Sequence, residues 1–429
     1  MPGLWDHASR ARRAMARCDV VAEFTTEPGR ITRAYGTPAL VQARDEVAQW
    51  MEQAGMSTRV DAIGTLRGLY PNDGTPGMRK LIIGSHLDSV RDAGRYDGVL
   101  GVMVAIAAIE RLGGDMFLPF PIEVVAFPDE EGLRFGTTYL GSAALAGTFD
   151  PAWLDLRDDD GVSLREAVTQ CGGDPGRIQD AKLGVSEAFA YIEAHIEQGP
   201  RLENAGLALG AVTAISGQTR VVARFIGEAG HAGTVPMDLR RDPAPAAAEI
   251  VLAAESLARE TPELLATVGR ITTDPGASNV IPGAATITLD VRHPLDAERD
   301  GAVRALHFLA KQHAAKRGLQ LEWRVMRDHP ATTCHPDLLE VIQQSACDAM
   351  ADFALKLPSG AGHDAVTMAA AVPVGMMFIR CLRGVSHNPA EAVTEEDVAM
   401  AIDAMDVVLD DLGERAQWEP SAPEDLQFS

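Results

Sequence analysis

The run Lys80-Leu-Ile-Ile-Gly-Ser-His86 most constrains what this chain can fold into. It is continuously apolar at its centre, with no polar residue at alternate positions. Such a strand is buried on both faces, so it must lie inside a sheet covered by other layers. The segments around it supply those layers. Pro38 to Ala54 has a helix pattern, and Gly98 to Leu112 is helical and apolar almost all round. Pro121 to Phe127 is a second buried strand, and Ala190 to Glu197 (AYIEAHIE) alternates like a strand. Towards the C-terminus follow a helix from Pro336 to Met350, a strand from Val372 to Ile379 and a closing helix from Thr394 to Leu412. This is an α/β fold with helices packed on a mostly parallel sheet.

The middle of the chain has a different rhythm. Gln218 to Ile226 (QTRVVARFI) alternates strictly, and Asp242 to Arg259 is helical. Ala266 to Thr272 and Ala285 to Arg292 are strands, Asp296 to Arg317 is a long helix, and Leu319 to Met326 is a strand. The order β-α-β-β-α-β is that of a small antiparallel sheet with two helices. Residues 214–327 are therefore expected to form an inserted α+β domain, with 1–213 and 328–429 forming the α/β domain around it.

A length of 429 residues suits two such cores. The net charge of -23 argues against nucleic acid or an anionic membrane as partner. No apolar run approaches the roughly 18–20 residues of a membrane span. Met1 to Cys18 contains several Arg but no secretory signal pattern, and reads as an amphipathic helix rather than a transit peptide. The five Cys are scattered and odd in number, without a Cys-x-x-Cys pair. That pattern fits the cytoplasm, with neither a disulfide framework nor a thiolate zinc site.

The chemistry lies at strand ends. In an open α/β sheet, functional residues collect at the carboxyl ends of the strands. His86 ends one buried strand, and Asp97 follows just before a helix. The next strand ends in Pro128-Asp129-Glu130-Glu131-Gly132. His195 lies in a strand, and His387 lies just beyond the last one. Adjacent carboxylates at a buried strand end call for a counter-charge, and a metal pair supplies it. A bridging carboxylate plus about two further ligands per ion is the pattern required. Asp97 would bridge, His86 and His195 would serve one ion, and Glu131 and His387 the other. Neighbouring residues on a strand point to opposite sides. Glu131 can therefore bind while Glu130 faces the reacting water as general base. Asp88 can accept a hydrogen bond from the second ring nitrogen of His86. Each histidine taken alone is more readily explained as a hydrogen-bonded core or surface residue than as a ligand, and the acids alone as a turn or a helix N-terminus. What sets the five ligand candidates apart is their shared placement.

GSHLDSVRDAGRYDGVLGV, FPDEEGLRFG, AHIEQGPRLE, GHAGTVPMDLRRD, SNVIPG, SGAGHDA and GVSHNPAE, in that order, resemble the M20-type metallopeptidase superfamily. More narrowly they resemble its amidase branch, the N-carbamoyl-amino-acid hydrolases and allantoate amidohydrolases. The resemblance runs from about Thr37 to Leu412. It implies that His86, Asp97, Glu131, His195 and His387 hold two divalent ions (Zn²⁺ or Mn²⁺, with Co²⁺ accepted). It also implies that Glu130 is the general base and that the inserted domain serves dimerisation or as a lid. By the same resemblance, His231 acts on the partner subunit's site and stabilises the oxyanion, and Asn279 and Arg292 contact a substrate carboxylate. From the residues alone, Arg292 offers a bidentate fork but suits a surface ion pair equally, and Asn279 suits a turn. The loop Ser359 to Asp364, with Gly362 and His363, opens a helix and offers backbone N–H groups to an anion.

The resemblance implies hydrolysis of a ureido C–N bond. Allantoate, N-carbamoyl-L-amino acids and N-carbamoyl-β-alanine all place a ureido carbonyl near a carboxylate. Ile215 to Arg220 and Phe378 to Gly384 are more similar to the allantoate enzymes. Gln218 or Arg380 would supply the further polar contact that a second ureido group needs. A peptidase on the same scaffold, or a binding protein that kept the fold, are the other readings. Glu130, which a binding protein would not need, speaks against the latter.

Overall fold

The computed structural model describes residues 7–71, 78–113, 118–184 and 186–415. The chain divides into two compact units, one of residues 1–213, 334–357 and 363–429, the other of 214–333 and 358–362. Relative to the boundaries expected from periodicity, residues 328–333 and 358–362 fall with the second unit.

The sheet of the first unit is mixed. Its central strands run in the order Ile122–Phe127, Lys80–His86, Ala188–Ile196 and Val374–Ile379, all parallel. Its flanks are antiparallel: Ser57–Val60 and Leu66–Tyr70 extend one side, and Leu209–Ile215 the other. Every residue of the four central strands is buried, as doubly covered strands require. The alternation of Ala190 to Glu197 is thus not an inside–outside alternation, because Glu193 and His195 are also buried. At Gly84 the neighbouring strand comes so close that a Cβ would lie 2.0 Å from the Val125 carbonyl oxygen, which excludes a side chain there.

Local chemistry sets the helix ends. Thr37 caps the helix Pro38–Gln53 by accepting from the Leu40 N–H, with Pro at the first turn. Thr394 caps Glu395–Glu414, whose first turn carries Glu395, Glu396 and Asp397 against the helix dipole. Helix Val99–Leu112 is apolar on nearly every side because it is buried on nearly every side. It packs against Glu395–Glu414, the N-terminal helix His7–Glu23 and the sheet. The first six residues of the expected N-terminal helix lie outside the described residues. Among the described residues no helix is long and apolar enough to cross a membrane.

The second unit is a four-stranded antiparallel sheet in the order Gln320–His329, Gly217–Ile226, Ala284–His293 and Leu265–Asp274. Helices Ala244–Glu260 and Asp296–Lys316 pack on one another and on this sheet. Val221, Ala223 and Phe225 alternate inwards and meet Ile287, Leu289 and Val291 in the core. A separate two-residue pairing joins Gly230–His231 to Val280–Ile281, with Val280 opposite His231.

Candidate metal centre

Three sheet ends and two loops converge in the first unit. His86 is the last residue of its strand and His195 the penultimate residue of the next. Their Nε2 atoms lie 3.4 Å apart. Asp97 faces both. Its Oδ1 is 3.3 Å from His195 Nε2 and 3.8 Å from His86 Nε2. Its Oδ2 is 3.3 Å from Nε2 of His387, which is in turn 3.3 Å from Glu131 Oε1. Two triads therefore share one carboxylate: His86, Asp97 and His195, and Asp97, Glu131 and His387, each with candidate ligand atoms within 4.8 Å of one another. His86, Asp97 and His195 are buried, whereas the His387 side chain is about half exposed.

The free ring nitrogens are occupied in ways that leave Nε2 facing inwards. His195 Nδ1 lies 2.9 Å from the Ile196 carbonyl. His86 Nδ1 lies 3.2 Å from the Asp88 carbonyl and 3.4 Å from its carboxylate. The Asp88 carboxylate mainly serves another purpose. It accepts the backbone N–H of Glu130 (2.9 Å) and of Glu131 (3.1 Å), and so holds the acidic turn in place. Of the three consecutive acids, Glu130 and Glu131 join His86 within ligand distance of one another. Asp129 is turned inwards, and both its carboxylate oxygens are buried without a hydrogen-bond partner.

The charge balance follows from this crowding. Burial, then the neighbouring Glu131, pushes Glu130 well above the usual carboxylate range. Burial would also raise Asp97, but its bonds to His195 and His387 hold it well below. His387 is pushed up to about 10 by Asp97 and Glu131. Imidazoles and carboxylates in such mutual dependence form the donor set of a hard or borderline divalent cation.

Gly98 shows how tightly the set is packed. Its φ is +68°, and a Cβ there would meet the His86 ring at 2.4 Å. Gly98→Ala is expected to displace that ring and weaken divalent-metal retention by roughly 10–100-fold, the range for disturbing a ligand's support. Chelator competition measures it. Retention equal to wild type would mean that the position of the His86 ring does not matter to the metal.

Several contacting residues had a weaker sequence signal. Gln198, at a left-handed φ of 57°, donates to Asp97 Oδ1 (3.1 Å) and Oδ2 (3.2 Å) and lies 3.4 Å from His387 Nε2. Its position just past a strand end is the one clue it offered. Glu391 accepts the N–H groups of Tyr96 and Asp97. His363 is buried with its ring edge against His195, centroids 4.5 Å apart. The helix after it is one short turn, Ala365–Met368. The Ala361 N–H goes to Ser359 Oγ and the Ala365 N–H to Glu193, so neither is open to an anion. Gly362 belongs to the second unit and His363 to the first.

Arg380 is committed elsewhere. It forms a bidentate pair with buried Asp397 (2.6 and 3.0 Å) and so fastens the closing helix rather than offering a substrate contact. Within the second unit, Arg292 and Gln218 converge on Asp290, at 2.9 and 3.1 Å for Arg292 and 2.8 Å for Gln218. Arg292 also donates to the Gly360 carbonyl. The Asn279 carbonyl accepts the Ala232 N–H, which places Asn279 beside His231. His231 is exposed, and its Nδ1 accepts the Gly233 N–H at 3.1 Å.

Residues 82–411 match the profile of Peptidase family M20/M25/M40. The chain is 40% identical over 423 residues to an allantoate deiminase of Arabidopsis thaliana, covering 90% of this chain and 80% of that one. It is also 40% identical over 402 residues to an N-carbamoyl-L-amino acid amidohydrolase of Geobacillus stearothermophilus, covering 92% and 97%. Among solved structures it resembles an amidase of the hydantoinase/carbamoylase family from Burkholderia multivorans, with a TM-score of 0.86 at 30% identity over 93% and 97% of the two chains. With its histidine and carboxylate cluster inside the matched segment, this chain belongs to the peptidase family M20/M25/M40.

Proposed function

We propose that this chain is a metal-dependent amidohydrolase that cleaves a ureido C–N bond, converting allantoate to ureidoglycine, ammonia and carbon dioxide. The observation that carries the reading is Asp97, whose two oxygens face two separate ligand sets beside Glu130. His86, Asp97 and His195 would hold one divalent ion, and Asp97, Glu131 and His387 a second, as Zn²⁺ or Mn²⁺ with Co²⁺ accepted. Such ions supply Lewis acidity and lower the pKa of bound water.

The chain's own residues do the rest. Glu130 takes the proton of the attacking water and returns it to the departing nitrogen. His231, whose Nδ1 accepts the Gly233 N–H, stabilises the developing oxyanion with a hydrogen bond from Nε2. Arg292, held by Asp290 through Nε and Nη2, contacts the substrate carboxylate with the N–H groups that remain. Asn279, Gln218, Gly362 and His363 complete the substrate contacts. The five free cysteines suit the reducing cytoplasm.

Hydrolysis of a panel of allantoate, N-carbamoyl-L-amino acids, N-carbamoyl-β-alanine and dipeptides, followed as ammonia release for the ureido substrates and as free amino acids for the dipeptides, tests the assignment. The highest kcat/KM is expected for allantoate. Preference for a carbamoyl amino acid, the substrate class in the name of the Geobacillus relative, would replace allantoate while keeping the chemistry. Peptide cleavage without ureidolysis would overturn both.

The second unit, in this reading, is the dimerisation and lid domain, and His231 acts in trans. His231→Ala and Glu130→Gln subunits, each nearly inactive alone, are then expected to regain activity when mixed. In a mixed C₂ dimer one site carries both lesions and the other neither. Activity approaching half of wild type per mixed dimer is the expected result. No recovery despite confirmed subunit exchange would place His231 in cis.

A further inference from the structure

Glu193 is a carboxylate completely buried in a strand with strands on both sides. Burying a charge there costs several kcal/mol unless it is well bonded, so a reason for it is required. Its bonds supply one. Oε1 accepts from Ser85 Oγ at 3.0 Å, and Oε2 accepts from the Ala365 N–H at 3.1 Å. Ser85 immediately precedes His86, and Ala365 lies two residues after His363. Glu193 itself lies two residues before His195, on the same side of the strand. Glu193 and its two partners thus each lie one or two residues from one of three imidazoles, and the carboxylate ties together the three segments that carry them.

Glu193, His195 and His363 also come within ligand distance of one another. A further ion there is not what the bonding favours. His195 Nδ1 is taken by the Ile196 carbonyl, and its Nε2 already faces His86 and Asp97. Both oxygens of Glu193 are held by other groups.

We propose that Glu193 is a positioning residue that aligns His86, His195 and His363 before metal arrives, by clamping their three segments through Ser85 Oγ and the Ala365 N–H. The inference rests on the reading of His86 and His195 as metal ligands. Without the clamp, the two strand ends and the turn can shift independently, and His86 and His195 no longer meet the cation in one geometry. Loss of such support typically weakens metal binding by roughly 10–100-fold.

The test uses the full-length protein loaded with Co²⁺ alone. Its affinity is read by chelator competition and its ligand geometry by the visible d–d absorption. Glu193→Ala is expected to weaken Co²⁺ binding by roughly 10–100-fold and to change the band shape. Glu193→Gln, which keeps one acceptor oxygen, should fall between it and wild type. A merely structural role would lower thermal stability without altering the spectrum of the Co²⁺ that is bound. Ser85→Ala removes a single arm of the clamp and should shift the spectrum in the same sense. It decides the matter should Glu193→Ala not fold. Wild-type affinity and spectrum in folded Glu193→Ala, or in Ser85→Ala when the former does not fold, would overturn the inference. Failure of the wild-type protein to bind Co²⁺ would instead overturn the metal-centre reading itself.

Discussion

Glu130→Gln is expected to lower turnover by roughly 10²–10⁴-fold, the range for loss of a general base, while divalent metal stays bound. The change keeps size and removes only the ability to take a proton. The backbone of the turn should survive it, because the Asp88 carboxylate holds the N–H groups of both Glu130 and Glu131 whatever their side chains. Glu131→Gln should behave in the opposite way. Its Oε1 lies 3.3 Å from His387 Nε2, inside the second ligand set, so metal retention should fall and excess metal should restore part of the rate. Metal content by elemental analysis alongside kcat separates the two. If Glu130→Gln lost its metal and Glu131→Gln kept it, the roles of the two glutamates would be exchanged.

The largest expected effect on stability lies away from the centre, at Glu123. This residue sits in the buried strand Ile122–Phe127 and binds Arg67 through two bonds, at 2.6 and 2.9 Å. It also pairs with Lys80 at 2.9 Å. All three side chains are buried. Burial would raise the Glu123 carboxyl, but the two cations pull it below its ordinary value. Glu123→Ala leaves Arg67 without its carboxylate in the sheet and should cost about 3–5 kcal/mol. That is a large share of the roughly 5–15 kcal/mol by which domains are stable. Urea unfolding followed by tryptophan fluorescence measures it. Arg67→Met combined with Glu123→Met should recover most of the loss, since the guanidinium is gone and Lys80 keeps its bond to Glu187. A loss below about 1 kcal/mol for Glu123→Ala would mean that water or a rearranged acid takes over the vacated bonds.

The parts of the fold that sequence revealed are those where one physical signal acted alone. Lys80–His86 has no competing pattern, and its observed limits are those expected. Pro336–Met350 begins at a proline, which suits a first helical position, and it too has the expected limits. Leu66–Tyr70 escaped notice because Arg67 and Gly68 break its apolar run. Arg67 is there for Glu123, a partner 56 positions away that periodicity cannot reveal. In Ala188–Ile196 the polar residues Glu193 and His195 alternate with apolar ones as on a half-exposed strand, yet both are buried. Polar residues that break a local rule at a functional site mislead in this way.

The same distinction applies to the site. His86, Glu130 and Glu131 lie at or just past strand ends and Asp97 in the loop between a strand and its helix, where fold class alone directs attention. Glu193 and Glu391 work through backbone groups 172 and 294–295 positions away, and no spacing in the sequence marks them. The Asp88 carboxylate lies 3.4 Å from His86 Nδ1, as its position two residues on suggests, but its bonds to the turn 42 and 43 positions on have no mark in the sequence.

The position of Val374–Ile379 between Ala188–Ile196 and Leu209–Ile215 has a consequence for the chain during its synthesis. Roughly 180 residues separate the two parallel neighbours, so at ~5–20 residues per second the ribosome takes about 10–40 s to deliver the second after the first. Throughout that interval Ala188–Ile196 presents an apolar strand edge with no partner on one side. Exposed edges of this kind recruit other chains. His387 emerges later still, so a nascent chain holds the buried histidines before it holds the residue that completes the second ligand set. Cellular yield of this protein should therefore depend on chaperone capacity during translation more than on the stability of the finished fold, and slowing elongation over the last third of the message should lower it.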